Sequence, residues 1–249
     1  MRDFVTALEF LTRLRFSNRI KWNDDDFGRS VFWFPVVGLL AGAILSGVNW
    51  QLEQFYVPSF LRSVLLIVAE LFFFGSLMYD GYMDTCDGIF SVRDRERMLE
   101  IMKDSHVGAN AVLGVCILLL LKMAMFITLD PWKLSKALLV GYVLTRSLMA
   151  FYIVAYPYPR EKGIGKMFKD YAKSWYPVSG LLILIFVVYF CGWQYGIAAA
   201  VAFLFMNIWA KYLQNLLGGL TGDTFGFLTE VGFIMYLLIL FVVDKFYNW

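Results

Sequence analysis

Residues 107–129 read VGANAVLGVCILLLLKMAMFITL and contain a single charged side chain. An α-helix rises 1.5 Å per residue, so this stretch forms a rod of roughly 35 Å, slightly longer than the roughly 30 Å hydrocarbon core of a bilayer. The stretch therefore predicts a membrane-spanning helix.

Six more windows are long and apolar enough to cross a membrane: residues 31–49, 60–80, 134–156, 177–193, 195–213 and 231–247. The whole chain is 60% hydrophobic, 18% aromatic and 17% charged, with a mean hydropathy of +0.64. These values lie outside the range of soluble domains. We predict an all-α, polytopic integral membrane helix bundle of about seven transmembrane helices, forming a single domain over residues 1–249.

The first 29 residues precede the bundle, which we place at 30–249. They lack the long apolar core and small-residue cleavage site of a signal peptide. Apolar side chains recur at helical spacing, followed by two arginines: Phe4, Leu8, Leu11, Arg13 and Arg15. We predict an amphipathic helix at the membrane surface, and a linker in which the acids at 24–26 are solvated.

Lysine and arginine concentrate in every second loop, which assigns the sides of the membrane. The clusters are Arg2, Arg13, Arg15, Arg19, Lys21 and Arg29; Arg93, Arg95, Arg97 and Lys103; and Arg160, Lys162, Lys166, Lys169 and Lys173. We predict a multi-pass protein of the cytoplasmic (inner) membrane. Its N-terminus, the loops containing residues 80–108 and 157–173, and segment 214–230 face the cytoplasm, and its C-terminus lies outside. Nucleic acid is not an expected partner.

Residues 80–108, DGYMDTCDGIFSVRDRERMLEIMKDSHVG, carry the clearest chemical signal. On a helix, Asp80, Asp84 and Asp87 fall within an arc of roughly 60°, and Glu100 and Asp104 form a second pair spaced i, i+4. Five converging carboxylates would repel one another unless a cation lay among them. Oxygen ligands without a His or Cys cluster favour Mg²⁺ or Mn²⁺. The alternative is a solvated loop whose acids pair with nearby arginines and lysines.

Two glycine-containing segments supply groups that suit phosphate. Arg160 lies beside Gly163 and Gly165, and residues 218–226, GGLTGDTFG, are followed by Glu230. Glycines let backbone N–H groups approach phosphate oxygens, and an arginine fork suits a pyrophosphate. In residues 218–226, Asp223 is a further candidate ligand. A plain turn and a positive-inside anchor are the alternatives.

Arg146 lies within the predicted fourth span. An intramembrane arginine normally faces a polar cavity or an acidic partner. Together with the acids and the glycine segments, it indicates a cytoplasm-facing site for metal and phosphates. Metal ions on a pyrophosphate neutralise developing charge, so the predicted reaction class is phosphoryl-group transfer. Two alternatives stay open: a phosphotransferase acting on a CDP-linked lipid, and an ion-coupled transporter.

Six motifs, in order along nearly the whole chain, resemble the cobalamin synthase (adenosylcobinamide-GDP ribazoletransferase) family. They are FLTRL at 10–14, FPVVGLLAG at 34–42, DGYMDTCDGIFS at 80–91, RMLEIMKDSHVGA at 97–109, PREKGIGKMF at 159–168 and GGLTGDTFG at 218–226. Two positions depart from the family pattern. Arg15 replaces a proline that often follows FLTRL, and Phe233 replaces a second glutamate three residues after Glu230.

The resemblance implies a Mg²⁺-dependent enzyme of late cobalamin biosynthesis. Such enzymes join adenosylcobinamide-GDP to α-ribazole or its 5′-phosphate and release GMP. The implied metal ligands are Asp80, Asp84, Asp87, Glu100 and Asp104, with Asp84, Asp87 and Asp104 catalytic. The family's basic loop falls on Arg160, Gly163 and Gly165, and its glycine motif falls on Thr221, Gly222, Asp223 and Glu230. We expect these residues to bind substrate together with Arg146, which is predicted from its position within a span. The general base, the number of metal ions and assembly into a homo-oligomer are left open.

Overall fold

The computed structural model describes residues 2–15 and 23–247, which form α-helices, one 3₁₀ turn at Val31–Trp33 and no strand. The helices are α1 Arg2–Leu11, α2 Asp24–Ser30, α3 Phe34–Gln54, α4 Ser59–Phe74, α5 Leu77–Ile89, α6 Arg95–Ile101, α7 Ala109–Thr128, α8 Pro131–Ala155, α9 Ile164–Tyr171, α10 Pro177–Cys191, α11 Trp193–Leu217 and α12 Gly222–Tyr247. The predicted all-α fold is confirmed.

Fewer helices than predicted are long enough to cross a membrane. Within the described ranges, five stretches qualify: Asp24–Gln54, Ala109–Thr128, Pro131–Ala155, Trp193–Leu217 and Gly222–Phe246. The pair α4 and α5 makes a sixth if it is counted as one bent span, and α10 has only 15 residues. Each apolar window does contain a helix. However, α4 and α10 fall short of the roughly 20 residues that a straight crossing needs.

Hydropathy predicted one straight helix over the window 60–80, and this prediction is wrong. Helix α4 ends at Phe74 and α5 starts at Leu77, with an angle of 99° between them. Between them, Gly75 has φ 72° and ψ −166°, a conformation that is essentially restricted to glycine. Asp80 therefore lies beyond the bend, in a separate helix, α5.

The core of the bundle is built on two long helices. Helix α8 packs along α3 and also contacts α10 and α12, while α12 packs along α5 and α11. A β-carbon added at Gly42 of α3 would lie 2.8 Å from the Cα of Leu139 in α8, so only glycine allows this approach. Such close contact between small residues is typical of helix packing in membranes.

The N-terminal segment is helical as predicted, but it packs against the bundle more closely than a surface helix followed by a linker would. Helix α1 contacts α2 and α3, and the predicted linker contains α2. The expectation that the acids at 24–26 are solvated is wrong for Asp26, which is fully buried and ion-paired with Arg2 and Arg29. It also accepts a hydrogen bond from the backbone N–H of Asn23, which stabilises the start of α2. Arg19 and Lys21 lie outside the described residues.

Candidate active site

Two glycines bring α5 into backbone contact with α12. A β-carbon at Gly81 would lie 2.8 Å from the carbonyl oxygen of Asp223, and one at Gly226 would lie 2.8 Å from that of Met78. The helices touch near the first turn of α12. The acidic face of α5 therefore lies beside Asp223, although the two motifs are separated by more than 130 residues in sequence.

Asp84 is the centre of this acidic face. Its side chain is partly buried, and of the neighbouring charges Asp223 acts on it most strongly, followed by Asp80, Asp87 and the opposing Arg160. The three α5 acids share one helix as predicted, and Asp223 joins them from α12. Such a concentration of negative charge attracts cations.

Asp87 has a structural contact that the sequence analysis did not predict. Its Oδ2 accepts a hydrogen bond from the backbone N–H of Gly108 at 2.6 Å, and its Oδ1 accepts one from that of Ala111 at 2.8 Å. Both oxygens thus cap the N-terminus of α7, where backbone N–H groups have no partner within the helix. Only the remaining lone pairs of Asp87 are available to a metal.

Glu100 and Asp104 do not form the predicted helical pair. Helix α6 ends at Ile101, so Asp104 lies beyond it. Glu100 is exposed and accepts a hydrogen bond from Arg97 at 2.9 Å. Asp104 is exposed and accepts one from the backbone N–H of His106 at 3.0 Å. That bond and the 2.6 Å contact with the His106 ring lower the pKa of Asp104 below its usual value.

The predicted five-carboxylate cluster is not assembled in the described part of the chain. No group of three or more Asp, Glu, His or Cys side chains among those residues is placed to hold a metal ion. Mg²⁺, however, commonly takes one or two carboxylates and completes its shell with water and substrate phosphates. One or two carboxylates among Asp80, Asp84 and Asp223 fit that chemistry. The assignment of individual metal ligands stays a prediction.

Arg160 and Asp223 form an ion pair of 2.8 Å across the mouth of the acidic face. The loop that carries Arg160 is fixed to the glycine segment, because the backbone N–H of Leu220 donates to the carbonyl of Pro157 at 2.9 Å. Thr221 is fully buried and its hydroxyl accepts a hydrogen bond from the backbone N–H of Thr224, which caps α12. The two segments predicted to bind phosphate therefore lie side by side.

The three glycines predicted to bind substrate differ in their surroundings. Gly163 precedes α9 with φ 127°, a value that favours glycine, and Gly165 lies under the ring of Tyr158. Gly222 has open space around the position of a β-carbon. The first two have a clear conformational or packing reason to be glycine, and their contact with phosphate stays a prediction.

Arg146 and Glu230 are both buried inside the bundle, and Arg146 lies within a long apolar helix as predicted. Segment 214–230 was predicted to lie between two spans, but α12 begins at Gly222, so Glu230 lies two turns inside that helix and is 4% exposed. Polar Thr, Asp and Glu residues lowered the hydropathy of these turns and moved the predicted start of the span to 231. Arg146 is also 4% exposed and interacts electrostatically with Glu230. Their contact with substrate stays a prediction.

The sequence analysis missed a buried charged cluster formed by Glu70, Tyr79, Lys122 and Glu230. A signal was available. Glu70 and Lys122 are isolated charges of opposite sign within predicted spans. Intramembrane charges usually pair with one another or serve a function, so these two residues were candidates for a contact.

Comparison with known proteins agrees with the motifs. A family model described as cobalamin-5-phosphate synthase matches residues 3–241. Relatives named adenosylcobinamide-GDP ribazoletransferase are 31% identical in Clostridium novyi and 34% identical in Desulfitobacterium hafniense, each over 96% of both chains, and 36% identical in Desulforamulus reducens over 90% of both. No solved structure matches this chain. The chain belongs to the cobalamin-5-phosphate synthase family.

Proposed function

We propose that this protein joins adenosylcobinamide-GDP to α-ribazole or α-ribazole 5′-phosphate, producing adenosylcobalamin or its 5′-phosphate and GMP. One observation carries the proposal: backbone contact between α5 and α12 at Gly81 and Gly226 brings Asp84 into electrostatic reach of Asp223, which is ion-paired with Arg160. Membership of the family and the names of the relatives support the same reaction. The expected location is the cytoplasmic membrane, with this site facing the cytoplasm.

The reaction requires one bond to phosphorus to form as another breaks. The ribazole hydroxyl oxygen attacks the phosphorus that bears the cobinamide, and the bond from this phosphorus to the bridging oxygen breaks, so that the bridging oxygen leaves with GMP. One carboxylate of the group at Asp80, Asp84 and Asp223 accepts the hydroxyl proton. These side chains also orient the two substrates, which converts a bimolecular encounter into a reaction within one complex.

One or two of Asp80, Asp84 and Asp223 would hold Mg²⁺, which would supply positive charge against the pyrophosphate oxygens. Asp87 would support the site from its position at the start of α7. Glu100 and Asp104 lie on an exposed segment and would have to approach the other acids to act as ligands. Arg160 would transfer part of its contact from Asp223 to a phosphate, for which its guanidinium is well suited.

The test is turnover by the purified full-length protein in lipid vesicles. Adenosylcobinamide-GDP, α-ribazole and MgCl₂ are supplied, and GMP is measured by chromatography, with parallel reactions that contain a radiolabelled CDP-alcohol. The proposal predicts GMP release that requires both substrates and stops with EDTA. Turnover of the CDP-alcohol alone, or substrate uptake into the vesicles without GMP release, would support a lipid phosphotransferase or a transporter and contradict the proposal.

A further inference from the structure

Lys122 lies at the centre of the charged cluster in the interior of the bundle. The Lys122 side chain is fully buried, and its Nζ donates to Glu70 at 3.0 and 3.1 Å, to Glu230 at 2.9 Å and to the hydroxyl of Tyr79 at 2.7 Å. The Tyr79 hydroxyl in turn donates to Glu70 at 3.0 Å. Lys122 is therefore bonded to three side chains at once. We call these four residues the Lys122 cluster.

The Lys122 cluster joins four helices near the acidic face. Lys122 belongs to α7, Glu70 to α4, Tyr79 to α5 and Glu230 to α12. Glu70 lies one turn before the bend at Gly75 and Tyr79 lies just after it, so their hydrogen bond spans the bend. Tyr79 is adjacent to Asp80, and Glu230 lies two turns along α12 from Asp223. The cluster thus contacts both helices that supply the acids.

The charges in this region balance when Arg146 is included. Glu70 and Glu230 contribute two negative charges, and Lys122 and Arg146 two positive ones. Arg146 acts electrostatically on Glu230 and lines a small cavity together with Glu70, Tyr79 and Glu230. Buried ion pairs gain little net stability, because desolvation offsets the attraction between the charges. The main effect of such a cluster is therefore to hold its side chains, and the helices that carry them, in one arrangement.

We propose that Lys122 is a positioning residue for the reaction centre. It fixes the bend between α4 and α5 and holds α12 beside them, so that Asp80 and Asp84 face Asp223. The proposal rests on the proposed function, because it assigns Lys122 a role in that reaction. A misplacement of about 1 Å costs an enzyme roughly 10²-fold in rate. Lys122 does not touch substrate, so its loss should lower kcat more than it raises KM.

The first experiment compares Lys122→Met with two variants. They separate the positioning of the site acids by Lys122 from its contribution to the charge balance of the cluster. Lys122→Met should lower kcat by about 10²-fold with little change in KM, and Lys122→Arg should restore part of that loss because it keeps a cationic donor. Lys122→Met combined with Glu70→Gln restores charge balance but not the contacts of the ammonium. It should recover thermal stability while kcat stays low. Recovery of kcat together with stability would show a role in charge balance only and would overturn the proposal.

Tyr79→Phe keeps every charge and removes only the hydroxyl that links α5 to Lys122. It provides the test if Lys122→Met does not fold, and it should lower kcat severalfold. Lys133→Met is the matched control, since it breaks the Lys133–Asp244 ion pair at the other end of α12. This control should lower thermal stability without lowering kcat. Unchanged kcat in Tyr79→Phe, or an equal loss of kcat in the control, would contradict the proposal.

A second measurement does not depend on activity. Spin labels at Phe90→Cys and Gly222→Cys, which follow α5 and begin α12, report the distance between the two helices. Lys122→Met should shift or broaden this distance and Lys122→Arg should not. An unchanged distance in Lys122→Met would overturn the positioning role. Absence of GMP release by the wild-type protein would instead overturn the proposed function, so the two failures can be distinguished.

Discussion

Asp84 and Asp87 are three residues apart on one helix and have different surroundings. Asp87 caps α7 with both oxygens and is 9% exposed, whereas Asp84 faces the charges of Asp80 and Asp223. The sequence predicted that the two carboxylates point the same way. It could not predict that one of them stabilises a helix, because the backbone groups that it caps, at Gly108 and Ala111, are 21 and 24 residues away from Asp87.

Replacing Asp87 should therefore reduce stability. Asp87→Ala removes both capping hydrogen bonds and should lower the free energy of unfolding by about 1–2 kcal/mol, and Asp87→Asn by less because its amide oxygen still accepts. Thermal unfolding in detergent micelles, followed by circular dichroism, measures the difference. An unchanged Tm in Asp87→Ala would contradict the capping role.

Arg160 is ion-paired with Asp223 and belongs to the loop that is predicted to bind phosphate. Arg160→Ala should raise KM for adenosylcobinamide-GDP by about tenfold or more, because a hydrogen bond to a charged group contributes about 1.5–3 kcal/mol. The KM of Arg160→Lys should lie between those of Arg160→Ala and the wild type, because lysine keeps the positive charge but lacks the two-pronged guanidinium. Lys162 is an exposed cation on the same loop, and steady-state kinetics of Lys162→Ala provide the control. Equal effects of Arg160→Ala and Lys162→Ala would show that only general loop charge matters.

At the scale of the element, the bend between α4 and α5 determines where the acids lie. Hydropathy predicted one span over 60–80, because an average over a window does not detect a change of direction at a single glycine. The apolar content of Leu71–Phe74 and the apolar start of α5 together resemble a continuous helix. Gly75 is the residue that permits the turn.

Gly75→Ala should destabilise the protein by about 1–3 kcal/mol, because alanine is strained at φ 72° and ψ −166°. Gly47→Ala in α3 is the matched control, as a β-carbon there meets nothing within 4 Å. This control should leave stability unchanged or raise it by up to about 1 kcal/mol, because alanine favours the helix. Thermal unfolding measures both variants. A Gly75→Ala protein as stable as the wild type would show that the bend does not depend on this glycine.

At the scale of the molecule, composition and charge pattern were sufficient for the fold class but not for the packing. The apolar windows predicted where helices occur, and basic loops grouped the acidic, arginine and glycine segments on one side. Composition and charge pattern do not predict which distant segments contact each other. The approach of α5 to α12 depends on Gly81 and Gly226, and the Lys122 cluster joins residues up to 160 positions apart. The contact between the two helices leaves no local pattern in the sequence. The isolated charges of Glu70 and Lys122 within apolar spans are a signal, but they do not identify Tyr79 and Glu230 as partners.

The predicted orientation can be tested with single cysteines at exposed positions. Glu96→Cys and Lys162→Cys should react with a membrane-impermeant maleimide only in inside-out vesicles, because both lie in loops predicted to be cytoplasmic. Tyr56→Cys, at the far end of α3, should react only in intact cells. Labelling of Glu96→Cys and Lys162→Cys from opposite sides would show that the acidic and arginine segments do not share a face of the membrane.

The most direct test of the central claim is GMP release by Asp84→Asn and Asp223→Asn in lipid vesicles, compared with the wild type under the same substrate and Mg²⁺ concentrations. Each substitution keeps the size of the side chain and removes one of the two facing charges. Both variants should remain folded and lose about 10²-fold or more in kcat. Release of GMP at the wild-type rate by either variant would contradict the assignment of the reaction centre to the contact between α5 and α12.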